Sequence, residues 1–119
     1  MKMEIGGIAK VLAAEILTCP ELINEEICSA CASDMMSDVL AFVKDHGCLL
    51  TGLNNPQVIR TAEMMDMCLV VFCRGKKPDD FTKQLATQKG IVILQTNLRL
   101  YQACGMLYAS GLIGGDSNV

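Results

Sequence analysis

At 119 residues the chain has the size of one domain, long enough to bury about two thirds of its unfolded surface without disulfide or metal staples. Hydrophobic residues make up 51% and charged residues 19%, an apolar surplus that needs cover beyond one core face, for which an interface between copies is a natural place. A net charge of −3 provides no broad basic field for a duplex, no run approaches the roughly 18 apolar residues of a membrane span, and the start lacks the layout of a signal peptide, so a cytoplasmic chain without nucleic-acid or membrane partners is expected.

The first predicted element is a helix, from the spacing of Ile5, Ile8, Val11 and Leu12. Glu15 to Thr18 reads as a short strand ending before Pro20, Glu21 to Glu26 as a loop, and Ile27 to Ala32 as a second strand. Ser33 or Asp34 then caps a helix carrying Met36, Val39, Leu40 and Val43, which stops near His46 with Gly47 as its left-handed terminator.

Apolar runs at Cys48 to Leu53, Met67 to Cys73 and Ile91 to Gln95 each precede a helical pattern, the alternation of βαβ units around a mostly parallel sheet. Asn54-Asn55-Pro56 sets a capping amide before a proline at the first helical position, and the inward face of that helix is Val58, Ile59, Ala62 and Met65. The next helix runs from about Pro78 to Lys89 with Phe81 and Leu85 inward and Gly90 as its stop. The last begins at Thr96-Asn97 and carries Leu98, Tyr101, Gly105, Leu107, Tyr108 and Leu112. Residues 1–113 thus form one α/β domain, a mostly parallel sheet with flanking helices, and 114–119 a short flexible tail. Leu49-Leu50-Thr51-Gly52 and Ile93-Leu94-Gln95-Thr96 echo one another, each an apolar strand closing near a threonine.

The run from Leu49 to Ala62, beginning Leu49-Leu50-Thr51-Gly52-Leu53-Asn54-Asn55-Pro56, resembles the DRTGG domain. So do the stretch from Ser33 to Ala41, the strand end Arg74-Gly75-Lys76-Lys77-Pro78 and the closing Ala103-Cys104-Gly105-Met106-Leu107-Tyr108. The likeness covers nearly the whole chain in order and spacing, with the turn Thr51-Gly52-Leu53-Asn54 standing where the family has its Asp-Arg-Thr-Gly-Gly string. This regulatory domain accompanies some phosphotransacetylases and CBS-domain proteins and is related to the N-terminal domain of HPr kinase/phosphorylase; stand-alone members are often encoded beside iron-only hydrogenases. The resemblance implies a compact α/β domain of the HPr kinase N-terminal type, a homodimer, and a task in sensing or regulation with no catalytic residues.

Ligands of parallel sheets bind outside the carboxyl ends of the strands, where backbone amides are free. The polar residues placed there are Ser33, Thr51, Gly52, Asn54, Arg74, Lys76 and Thr96, with Asp34, Gly75 and Asn97 beside them. Small hydroxyls and glycine admit an anion to the backbone and the two cations balance its charge, which suits a small anionic metabolite or nucleotide. The same residues have a purely structural reading, Thr96, Asn54 and Ser33 as caps and Arg74 to Lys77 as a solvated turn.

Seven cysteines and a single histidine are read as reduced, mostly buried thiols and a helix-end residue. Cys28-Ser29-Ala30-Cys31 has the gap of a zinc or redox motif, but on a strand residues three apart face opposite ways, and no second pair supplies the remaining ligands. Neither a metal nor a cofactor is expected. No nucleophile and orienting carboxylate accompany His46, and Gly75-Lys76 lacks the upstream glycine of a phosphate-binding loop, so the chain is not read as an enzyme. Adjacent Met35 and Met36, or Met64 and Met65, cannot share one narrow helix face, so part of the methionine set belongs to the core and part to a surface. Two functions follow: a ligand-sensing regulatory domain, or an interaction or assembly factor for a redox-enzyme partner such as an iron-only hydrogenase.

Overall fold

The computed structural model describes residues 2–42, 47–75 and 77–113. The expectations for Val43, His46, Lys76 and the tail 114–119 lie outside the described residues.

Four parallel strands form the centre of the molecule: β4 (Ala30–Ala32), β5 (Cys48–Thr51), β6 (Leu69–Phe72) and β7 (Val92–Gln95), each next to its successor. The antiparallel strand β2 (Glu15–Ile16) completes the sheet beside β7, giving the order β2-β7-β6-β5-β4. Buried on both faces, β5, β6 and β7 carry no polar residue before their last position, as central parallel strands require.

The connections β4 to β7 all step in one direction, and right-handed crossovers in one direction leave their helices on one face. These are α2 (Met36–Phe42), α3 (Pro56–Met64) and α4 (Asp80–Lys89), packed on Leu49, Val70, Phe72 and Ile93. The opposite face is covered by α1 (Ile5–Val11) and α5 (Leu100–Ala109), over Cys48, Leu50, Val71 and Leu94. A two-stranded ribbon, β1 (Met3–Glu4) with β3 (Glu26–Ile27), closes that side.

The single strand expected over Ile27 to Ala32 is two. Ile27 pairs with Met3 in the ribbon, whereas Ala30 joins the main sheet beside Cys48, and the chain shifts sheets at Cys28 and Ser29. Nor is Gly47 a left-handed terminator. It has no positive φ, and a Cβ there would run into the carbonyl of Ser29, so glycine is required for close approach rather than for handedness.

Local signals held elsewhere. The Asn55 side chain accepts the Gln57 amide at 3.0 Å with Pro56 opening α3, and Gly90 ends α4 at φ 69°. Val58, Ile59 and Ala62 are buried. The inward faces of the last two helices match expectation in part, with Leu85 packed on the core and Leu107 and Leu112 buried, and otherwise differ from it. On α4 it is Thr82 and Ala86 that face the sheet and Phe81 is 54% exposed. On α5, Ala103 and Leu107 face inward and Tyr101 and Tyr108 outward. On α4 the cause is close packing: small residues one turn apart let the helix settle against the sheet, and Phe81, about 100° round from Thr82, lands on the flank; on α5, Tyr108 lies about 100° from Leu107 and Tyr101 about 200° from Ala103, both turned from the sheet. α5 also starts later, because residues 96–98 are used in backbone pairing with the loop after β6.

None of the seven cysteines is in a disulfide. Cys19, Cys48 and Cys73 are buried, but Cys28 is exposed in the break between β3 and β4, which corrects its reading as a strand residue. Met36 and Met67 are buried while Met35 and Met64 face outward.

Candidate functional site

The chain leaves β6 toward α4 on one face and leaves the adjacent β7 toward α5 on the other. Such a divergence of neighbouring loops is the place where open α/β sheets hold their ligands. Here the two loops grip one another: the Arg74 amide donates to the Leu98 carbonyl at 2.8 Å and the Gly75 amide to the Thr96 carbonyl at 2.9 Å. To reach these partners Arg74 and Gly75 take φ of 67° and 69° in succession. A left-handed arginine costs about 1–2 kcal/mol.

Four loops meet at this end of the sheet. The Asp34 Oδ1 accepts the Gly52 amide at 2.7 Å and the Thr51 hydroxyl at 3.0 Å. Above the same glycine lies the Arg74 guanidinium, whose Nη2 donates to the Gly52 carbonyl at 3.2 Å. Asn54 donates from Nδ2 to the Lys77 carbonyl at 3.1 Å, joining the loop after β5 to the loop after β6. Ser33 supports the first loop by accepting the Met35 amide at 3.0 Å and by donating its own amide to Leu50.

Thr51, Gly52, Asn54 and Arg74 are therefore brought together, with Ser33 behind them. Thr96 is not among them. Thr51 follows Leu49 on the α2–α3 face, whereas Thr96 follows Leu94 on the α1–α5 face, and its hydroxyl donates to the Leu12 carbonyl at 2.7 Å. The echo seen in the sequence is nonetheless real: each threonine hydroxyl accepts the amide two residues on, Leu53 at 3.1 Å and Leu98 at 3.2 Å. It is one turn used on two faces.

Sequence reasoning placed Asp34 at this end of the sheet, as a helix cap or beside the ligand residues; its hold on Thr51 and Gly52, 17 and 18 residues away, is announced by no local pattern. Gln95 was missed entirely. It is buried at the end of β7, donates from Nε2 to the Gly75 carbonyl at 3.1 Å, and keeps its Oε1 without a protein partner. An amide at the last position of an otherwise apolar central strand was the available signal.

Beneath these loops, burial first, then Cys104 and Asp34, push the Cys73 thiol up to about 11, with Arg74 pulling the other way. A thiol so held is protonated at neutral pH and a poor nucleophile. Among the described residues no group of three His, Cys, Asp or Glu side chains could hold a metal ion, and no helix is long and apolar enough to cross a membrane.

No protein-family model and no curated protein matches the sequence. Among solved structures the chain is similar to the CBS and DRTGG domains of the regulatory region of Clostridium perfringens pyrophosphatase, determined in complex with its activator, diadenosine tetraphosphate. The TM-score is 0.68 at 15% identity, over 84% of this chain. The fold is DRTGG-like. The chain spans 44% of that regulatory region's length.

Proposed function

We propose that this DRTGG-like chain is a non-catalytic, cytoplasmic, ligand-sensing domain that binds a small anionic metabolite or nucleotide where its parallel strands end. One observation carries the reading: a carboxylate, that of Asp34, is held by the Gly52 amide and the Thr51 hydroxyl within a turn over which the Arg74 guanidinium lies. Oriented amide and hydroxyl donors beside a guanidinium are the equipment of an oxyanion site. Asn54 extends it, and Ser33 and Thr96 hold its loops; the second cation expected of Lys76 is part of the proposal from the sequence alone. The nucleotide activator of the pyrophosphatase region supports the same ligand class.

Thermal-shift titration with adenine nucleotides and phosphorylated metabolites tests the proposal, because a ligand at 100 times its Kd stabilises the native state by about 2.7 kcal/mol. Wild type is stabilised and Arg74→Ala is not. Absence of any shift in wild type across the panel rejects the reading.

A second reading, an interaction or assembly factor for a redox enzyme, is favoured by the outer face of α5. Tyr101 is 89% and Tyr108 67% exposed, one turn either side of Gly105, with Met106 exposed beside them. That face also suits the expected homodimer. Sedimentation of wild type and Tyr108→Arg, followed by capture from host lysate, separates self-association from recruitment of a redox enzyme.

A further inference from the structure

The anion position at the end of β5 is filled by the protein itself. Asp34 Oδ1 takes both available donors, the Gly52 amide and the Thr51 hydroxyl, and does so from an exposed residue, so no burial locks it in place. Its loop is short: Ser33 is pinned to Leu50 through its amide, Met35 to Ser33, and α2 begins at Met36. A carboxylate on such a tether competes with any incoming anion at a high local concentration.

We propose that Asp34 is a resident competitor for the ligand's phosphoryl group and the residue that couples occupancy to movement of α2. The inference rests on the anion-site reading above. A phosphoryl dianion displaces the singly charged carboxylate from the Gly52 amide and the Thr51 hydroxyl, and the adjacent Arg74 guanidinium favours the higher charge. A ligand offering only a carboxylate meets an equal already in place, so Asp34 selects phosphoryl compounds over simple carboxylates. Released, the Asp34 loop frees the start of α2, whose Met36 and Val39 are its buried anchors and whose Leu40, with the preceding Met35, faces outward. A partner reading that face of α2 senses the ligand without touching it.

The competitor lowers apparent affinity by the fraction of molecules in which the position is open. Calorimetric titration of inorganic pyrophosphate into wild type, Asp34→Ala, Asp34→Asn and the control Asp38→Asn measures this, with amide hydrogen exchange read over residues 36–42. Asp38 is an exposed carboxylate within α2, and its removal reports the effect of charge alone.

Asp34→Ala is expected to bind pyrophosphate about tenfold more tightly or better, Asp34→Asn to shift the same way, and Asp38→Asn to stay within about twofold of wild type. Pyrophosphate speeds exchange in α2 of wild type; in Asp34→Ala exchange is fast from the start and insensitive to it. Asp34→Asn keeps an acceptor oxygen for the fold and decides the matter if the alanine variant does not fold. Equal or weaker binding by the Asp34 variants, with wild-type binding still lost in Arg74→Ala, overturns the competitor and leaves the anion site standing. No binding by any variant removes both.

Discussion

The guanidinium of Arg74 occupies the space a side chain at position 52 would need: a Cβ on Gly52 would come within 2.5 Å of Nη2, the same nitrogen that donates to the Gly52 carbonyl. Gly52 has no positive φ, so the requirement is spatial. Because the obstruction is the far end of a flexible side chain, Gly52→Ala is expected to cost less than about 1 kcal/mol in urea unfolding while swinging Arg74 aside. Binding of phosphorylated ligands then falls with the fold intact. A loss above about 2 kcal/mol contradicts this account.

Arg74 is held in a left-handed conformation by the bond from its amide to Leu98. Glycine adopts that conformation freely, so Arg74→Gly removes the guanidinium and relieves backbone strain together. Unfolding free energy is expected to stay level or rise by about 1 kcal/mol, the relief offset by the entropy glycine adds to the unfolded chain. Any ligand response disappears. Marked destabilisation would mean that the side chain's bond to Gly52 outweighs the strain.

Gly47 behaves oppositely, since the atoms a Cβ would meet include, besides the Ser29 Oγ, the backbone carbonyl of Ser29, which accepts the Cys48 amide at 2.9 Å and so sets the register of β4 on β5. Gly47→Ala is expected to destabilise by about 1–3 kcal/mol and to raise hydrogen exchange in β4 ahead of β6. An unchanged urea midpoint would refute the close approach.

Thr18 replaces a backbone bond where β2 stops pairing: its hydroxyl donates to the Ile91 carbonyl and accepts the Ile93 amide, both at 2.8 Å. Thr18→Val keeps the shape and strands two buried backbone groups, for an expected loss of about 2–3 kcal/mol by chemical denaturation. Thr18→Ser retains the bonds and recovers most of it.

Thiol chemistry follows burial. Exposed Cys28 is expected to react with Ellman's reagent at once in the native protein, and Cys48 and Cys73 only on unfolding. The sign of the pH effect follows from Cys73, whose folded value of about 11 stands above its ordinary 9.0. The unfolded chain loses that proton first, so the stability tied to the neutral thiol is complete below pH 9 and lost as pH rises to about 11. Cys73→Ala should flatten the decline of melting temperature across that window.

Asn55 with Pro56, Gly90, and the apolar runs of β5, β6 and β7 were legible in the sequence because each depends on residues within a few positions: the Asn55 cap needs only the amide two residues on, and a central strand needs only an unbroken apolar run. Phe81, Tyr101 and Tyr108 were misread because their patterns fit more than one helix flank, and the flanks that meet the sheet are those of Thr82 with Ala86, small enough for close packing, and of Ala103 with Leu107. The strand over Ile27 to Ala32 was misread because both halves have strand composition and only their partners differ.

By itself the sequence determined that strands and helices alternate, where most of them stop, and that hydroxyls, an amide and an arginine collect after the strands. Tertiary structure alone decided what those residues do. Thr51 turns to Asp34 across 17 residues and Thr96 to Leu12 across 84, on opposite faces of the sheet, because the period of two along a strand assigns the face while the crossover direction assigns the helix that waits there. Neither choice is written within reach of a local pattern, and together they put a carboxylate where the strand ends offer their donors.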